Sequence, residues 1–147
     1  MIISFIGNSD SLGADEEKEE ERLLSLLSET VGDKECSFYL GNYGWFDGFA
    51  SRVCRKYADT HKKCKLILVI PYLDRKYNTE RYDETLYPPL ETVPKRLAIV
   101  RRNEYMIDVA DLLIVHVSYI RYARNYLFYA EKKKKKVINI AEKKIGT

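Results

Sequence analysis

Five short, almost wholly apolar runs punctuate this chain, and stretches with helically spaced apolar residues separate them. The runs are Ile2–Gly7, Ser37–Gly41, Leu66–Ile70, Asp111–Val117 and Lys136–Ile140. Apolar runs this short, closed by glycine, proline or charge, read as strands buried on both faces. Between them lie four helical patterns. Asp15 to Val31 carries Leu23, Leu24, Leu27 and Val31 on one stripe, and Phe46 to Ala58 repeats Phe46, Phe49, Ala50, Val53, Cys54, Tyr57 and Ala58 at helical spacing. Arg101 to Ala110 aligns Asn103, Met106, Ile107 and Ala110, while Ala123, Tyr126, Leu127 and Ala130 mark a last helix. Strands alternating with helices require a parallel sheet covered on both faces, with right-handed crossovers. The expectation is one α/β domain over residues 1–147, a doubly wound sheet of about five strands in the order 3-2-1-4-5.

Composition narrows the class further. A chain of 147 residues can bury a core, and 46% hydrophobic content with 7 Gly and 4 Pro excludes disorder and collagen-like repeats. No apolar run approaches the roughly 18–20 residues of a membrane span, so no membrane partner is expected. The opening MIISFIGNSD is too short for a signal peptide and lacks its basic flank. Cys36, Cys54 and Cys64 are odd in number and form no CxxC pair, so neither a disulfide framework nor a metal site is expected. A reducing cytoplasm is the expected location.

Charge is unevenly divided. Residues 1–35 hold 10 acidic and 3 basic side chains, the remainder 12 and 22, for an overall formal charge of +3. Asp15 to Glu21 opens one helical pattern and Lys132 to Lys136 closes another, and both signs complement the helix dipole. Both runs therefore read as solvated helix ends. A five-lysine tract also attracts nucleic acid non-specifically, but no stacking motif or base-reading module surrounds it.

In an open parallel sheet, ligands bind beyond the carboxyl ends of the strands where the strand order reverses. That crevice is expected between Gly7, Asn8, Ser9 and Asp10 after the first strand and Gly41, Asn42, Tyr43 and Gly44 after the second. Asn103 lies on the apolar stripe of its helix, in the expected first turn, so it and Arg102 should point at the crevice. Within GNYGWFDGFA the glycines permit positive φ and close approach, and the following helix offers its positive end and main-chain N–H groups to an anion. No Ser or Thr stands at the expected cap, which leaves those donors to a ligand. Asp47 in the first turn either contacts a hydroxyl of the ligand or caps the helix. The pattern is neither GxGxxG nor GxxxxGK[ST], so no dinucleotide fingerprint, P-loop or resident cofactor is implied.

GNYGWFDGFA, LILVIPYLD, YDETLYPPLE, RRNEYMIDVADLLIVHV and YAEKKKKKVINI resemble, in order and spacing, a YpsA-like branch of the SLOG superfamily. This is the Rossmann-like fold shared by Lonely-Guy-type phosphoribohydrolases and the DNA-processing protein DprA. The resemblance covers nearly the whole chain and implies binding of a nucleotide or nucleotide derivative. It matches Gly41, Gly44 and Asp47 to the first binding turn, and Arg102 and Asn103 to the polar start of the helix before strand four. The chain departs from the pattern after strand four. There Ser118 to Asn125 contains no glycine, so a main-chain phosphate cradle is not expected and only Arg121 and Arg124 offer charge.

His116 ends strand four and serves either as an acid or base or as a packed strand histidine. The connection from Tyr72 to Val93 is far longer than usual and carries Tyr72, Tyr77, Tyr82 and Tyr87. It forms a lid, covers a sheet edge or makes a homo-oligomer contact. The function expected is nucleotide binding by a sensor or accessory module. The alternatives are N-glycosidic hydrolysis or transfer, using Asp47 or the loop acids Glu80, Asp83 and Glu84, and an interaction module built on the basic half.

Overall fold

The computed structural model describes residues 1–11, 13–117 and 121–141, without the side chains of 121–123. Its strands are β1 (Ile2–Gly7), β2 (Cys36–Leu40), β3 (Cys64–Val69), β4 (Glu84–Leu86), β5 (Leu112–His116) and β6 (Val137–Asn139). The helices are α1 (Glu16–Thr30), α2 (Trp45–Asp59), α3 (Ala98–Val109) and α4 (Arg121–Lys132), with a short 3-10 turn at Lys95–Leu97 leading into α3.

All pairings are parallel, in the order β4-β3-β2-β1-β5-β6. The expected order stands, with one strand added at an edge. That strand, β4, comes from the middle of the long connection. It escaped the sequence because Glu-Thr-Leu is neither apolar nor alternating over a useful length. The connection thus covers the outer edge of β3. It is strapped down as well: Asp83 accepts the Leu66 N–H at 2.8 Å and pairs with Arg55 at 3.1 Å, and Arg81 donates to the Ser51 hydroxyl at 2.7 Å.

The strand period of two sorts the core into layers. Ile3 and Phe5 of β1, with Leu112 and Ile114 of β5, pack on the α1 and α2 side, where Phe5 meets Phe38 edge-on at 5.9 Å. Ile6, Leu113 and Val115 point the other way, onto Met106 and Ile107 of α3 and Ala130 of α4. Ser4 faces this second layer as a buried polar group, and its hydroxyl donates to the Met106 carbonyl at 2.6 Å.

The two charge runs do more than face solvent. Asp15 caps α1 by accepting the Lys18 N–H, but Glu19 of the same run is buried. Lys135 reaches across to the last turn of α3, donating to the carbonyls of Asp108 at 2.7 Å and Ala110 at 3.2 Å. Lysine at a helix carboxyl end satisfies orphaned carbonyls and the dipole together. Among the described residues, no helix is long and apolar enough to cross a membrane.

Candidate functional site

The carboxyl ends of β1 and β2 face α3 and α4 across a cavity of about 100 Å³. Because a single water needs roughly 10–15 Å³ of such space, the cavity holds one small moiety of a ligand. Ile6 and Ile99 form its apolar wall, and Gly7, Ser9, Tyr43, Asp47, Arg102, Asn103 and Tyr126 supply the rest.

Arg102 dominates the site. It is only 1% exposed, although the helix that carries it faces solvent on its other side. The helix starts earlier than its apolar pattern suggested, at Ala98, so Arg102 and Asn103 sit in its second turn rather than its first. From there Arg102 Nη1 donates to the Val69 carbonyl at the end of β3, at 2.8 Å, and Nε donates to Asn103 Oδ1 at 2.8 Å. No acceptor among the described residues takes Nη2.

Asp47 is the counterweight. It is buried on the first turn of α2, and its Oδ2 accepts the Tyr43 N–H at 2.9 Å. The expected cap and the expected ligand contact are thus compatible, because the carboxyl also lines the cavity. Burial pushes it up to about 6, against the opposing pull of Arg102 and of the Tyr43 N–H. Gly41 lets the two approach. A Cβ there would stand 2.6 Å from Asp47 Oδ2 and 3.2 Å from the Arg102 guanidinium. Carboxylate and guanidinium flank this glycine without a direct ion pair. Two buried opposite charges held apart at a cavity are prepared for a ligand carrying both acceptors and donors.

The glycine turn behaves differently from expectation. Gly44 does adopt positive φ, +92°, and lies against the backbone of Ser9. The first two amides of α2 are not open to a ligand, however. Trp45 N–H donates to the Ser9 carbonyl at 2.8 Å and Phe46 N–H to the Asn8 carbonyl at 3.1 Å. The loop after β1 therefore caps α2, doing what a Ser or Thr side chain does elsewhere. Main-chain capture of an anion by these two amides is overturned. Side chains of Arg102, Asn103 and Tyr126 line the cavity.

Asn8 and Gly7 also take structural parts. The Asn8 side chain is buried and turned to His116, with 3.3 Å between Nδ2 and Nδ1. Gly7 lines the cavity and leaves room for Phe46, whose ring a Cβ would strike at 2.4 Å. His116 is a packed histidine, enclosed by the Trp45 and Phe46 rings, with Nε2 2.6 Å from Glu19 Oε1. With Asn8 donating to Nδ1, Nε2–H donates to the carboxylate. This bond pins α1 to the end of β5. Glu19→Ala, which strands the buried imidazole N–H, is expected to lower stability by about 1–3 kcal/mol in urea unfolding. A loss below half of that would show the bond to be dispensable.

Of the expected residues, Gly7, Tyr43, Asp47, Arg102 and Asn103 converge on the cavity, while Gly41 and Gly44 shape it from behind and Asn8 lies beside it. Sequence reasoning missed Tyr126 and Ile99. Tyr126 looked like one more residue of an apolar stripe, and only the packing of α4 beside α3 turns it to the cavity. Of the loop acids, Asp83 is engaged with Arg55 and Glu84 with Lys65, and Glu80, Asp83 and Glu84 are not among the residues lining the cavity. Arg124 is exposed, and the rest of the turn after β5, including the Arg121 side chain, lies outside the described residues. Among the described residues, no group of His, Cys, Asp and Glu is placed to hold a metal ion. A larger open groove of about 700 Å³ between α1 and β6 is walled by exposed residues such as Lys18, Arg22 and Glu29, and it holds no buried polar group.

No protein-family model matches the chain, and no curated protein matches it. Among solved structures, the chain is similar to the X-ray structure of TM1055, a structural genomics target. The two share 13% sequence identity and a TM-score of 0.58, over 92% of this chain and 71% of that one. The likeness is one of fold, and it supports a Rossmann-like architecture.

Proposed function

We propose that this protein binds a nucleotide or nucleotide derivative at the carboxyl edge of its sheet, as a sensor or accessory module of the YpsA-like branch of the SLOG superfamily. The observation that carries the reading is the pairing of buried Arg102, with Nη2 uncommitted, and buried Asp47 around Gly41 at one cavity. A ribose phosphate offers what these groups lack, oxyanion acceptors for the guanidinium and hydroxyl donors for the carboxylate. The position supports it too, since the cavity sits at the switch point between β1 and its two neighbours. Exposed Tyr43, 64% accessible at the mouth, gives a base a surface to stack on. Three buried free thiols, Cys36, Cys54 and Cys64, suit a reducing compartment.

The test is a thermal-shift panel of AMP, ADP-ribose and NAD, followed by calorimetry on any compound that shifts the melting temperature. At least one compound is expected to stabilise the protein, by about 2.7 kcal/mol at a hundredfold excess over Kd. The shift is expected to vanish in Arg102→Met. A flat panel, or a shift that survives the substitution, overturns the reading.

One observation favours an enzymatic variant of this function. Of the carboxylates considered for catalysis, Asp47 is the one that lines the cavity, where it is positioned to stabilise a ribosyl cation as the C1′–N bond of a nucleoside monophosphate breaks and water adds to C1′. Release of free base by the wild type but not by Asp47→Asn supports it. The basic-tract reading has less to stand on, because Lys133 lies over the Tyr129 ring and Lys135 caps α3.

A further inference from the structure

The first two amides of α2 are occupied, and the stretch Ser118 to Asn125 has no glycine from which to build a main-chain cradle. An anion entering the cavity meets side-chain donors there. The bonds of Arg102 and the lining of the cavity show which ones. A guanidinium has donors only. Nε gives its proton to Asn103 Oδ1 at 2.8 Å, which commits the oxygen of that amide. Asn103 and Tyr126 both line the cavity beside the guanidinium. The Tyr126 side chain lines this cavity, and a phenol hydroxyl carries a proton to donate to an anion there. Burial pushes the Tyr126 phenol up, so the hydroxyl keeps that proton at neutral pH.

We propose that Tyr126 is a ligand-contacting, specificity-determining residue, forming with Arg102 Nη2 a two-donor subsite for the phosphate of the ligand. The proposal rests on the nucleotide reading and adds to it the end of the ligand that enters. Asp47 stands on the opposite side of the sheet from Tyr126, α2 covering one face and α4 the other, so acceptors and donors of the ligand are read from opposite walls. The bond from Arg102 also explains why an asparagine occupies the apolar stripe of α3. It orients the arginine.

Calorimetry with AMP, adenosine and inorganic phosphate, on the wild type and Tyr126→Phe, tests this. The substitution keeps the ring and its packing, which an unchanged melting temperature without ligand verifies. AMP affinity is expected to fall about tenfold, the worth of one charge-assisted hydrogen bond, with adenosine unchanged within about twofold. Equal AMP affinity in both proteins overturns the proposal, and so does an equal loss for AMP and adenosine. If neither AMP nor adenosine binds the wild type, the nucleotide reading falls and the phosphate arm decides the subsite. Inorganic phosphate bound by the wild type and lost in Tyr126→Phe upholds it, and no phosphate binding to the wild type ends it.

Discussion

Replacing Gly44 with alanine is expected to remove about 2–4 kcal/mol of folding stability, more than alanine at the other positive-φ glycines among the described residues. Two independent effects act at the position. The backbone lies at φ 92°, ψ 178°, a region that is essentially glycine-only and costs other residues about 1–3 kcal/mol. A Cβ would also stand 2.6 Å from the Cα of Ser9, which is main chain and has nowhere to go. Ser9 is held there because its carbonyl accepts the Trp45 N–H. Gly13 and Gly32 provide the internal control. Both have positive φ, 74° and 56°, but nothing lies within 4 Å of an added Cβ. Alanine at Gly32 should therefore show the conformational cost alone, about 1 kcal/mol. Urea unfolding of the two variants separates the terms. If Gly44→Ala loses no more than Gly32→Ala, the contact with Ser9 is soft and the corner is not the rigid element described above.

Arg102→Met is expected to have the largest effect of any substitution at the site, about 3–5 kcal/mol of stability together with loss of ligand binding. Methionine fills much of the volume, so the effect is electrostatic. The Val69 carbonyl and Asn103 Oδ1 lose their donor, and Asp47 is left as a buried charge without its compensating cation. The sign of the pH dependence follows. Asp47 already lies at about 6, above its ordinary 3.8, so the folded state binds this proton more tightly than the unfolded state. Its contribution is fully favourable below about pH 4 and is lost as pH rises through 6. Removing Arg102 removes the cation that holds the value down, so in Arg102→Met the loss extends to higher pH and deepens. Adding Asp47→Asn is expected to restore part of the stability at pH 7.5 and to flatten the profile between pH 4 and 7. A double variant that is no more stable than Arg102→Met at pH 7.5 would show that the two groups do not communicate.

How much of this was legible beforehand depends on the range of the interaction. The strand runs, the stripes of α1 and α2 and the strand order follow from apolar spacing, which is a local property. Gly41 and Gly44 announced a turn, and Asp47, Arg102 and Asn103 announced polarity where an apolar stripe meets the sheet edge. The start of α3 was placed late, because Ala98, Ile99 and Val100 follow Pro94 and a 3-10 turn without a capping side chain. Glu19 looked like one more solvated acid of its run. It is buried because His116, 97 positions away, offers it a hydrogen bond that repays desolvation.

The sequence by itself determined the layers of this protein: periods of two and 3.6 residues dictate which side chains leave water, and that suffices for a doubly wound parallel sheet. Tertiary structure alone decided who serves the site. It closed the first two amides of α2 with the carbonyls of Ser9 and Asn8, and it turned Tyr126 to the cavity. The reason is that a hydrogen bond depends on position within tenths of an ångström, between residues that only the folded chain brings together.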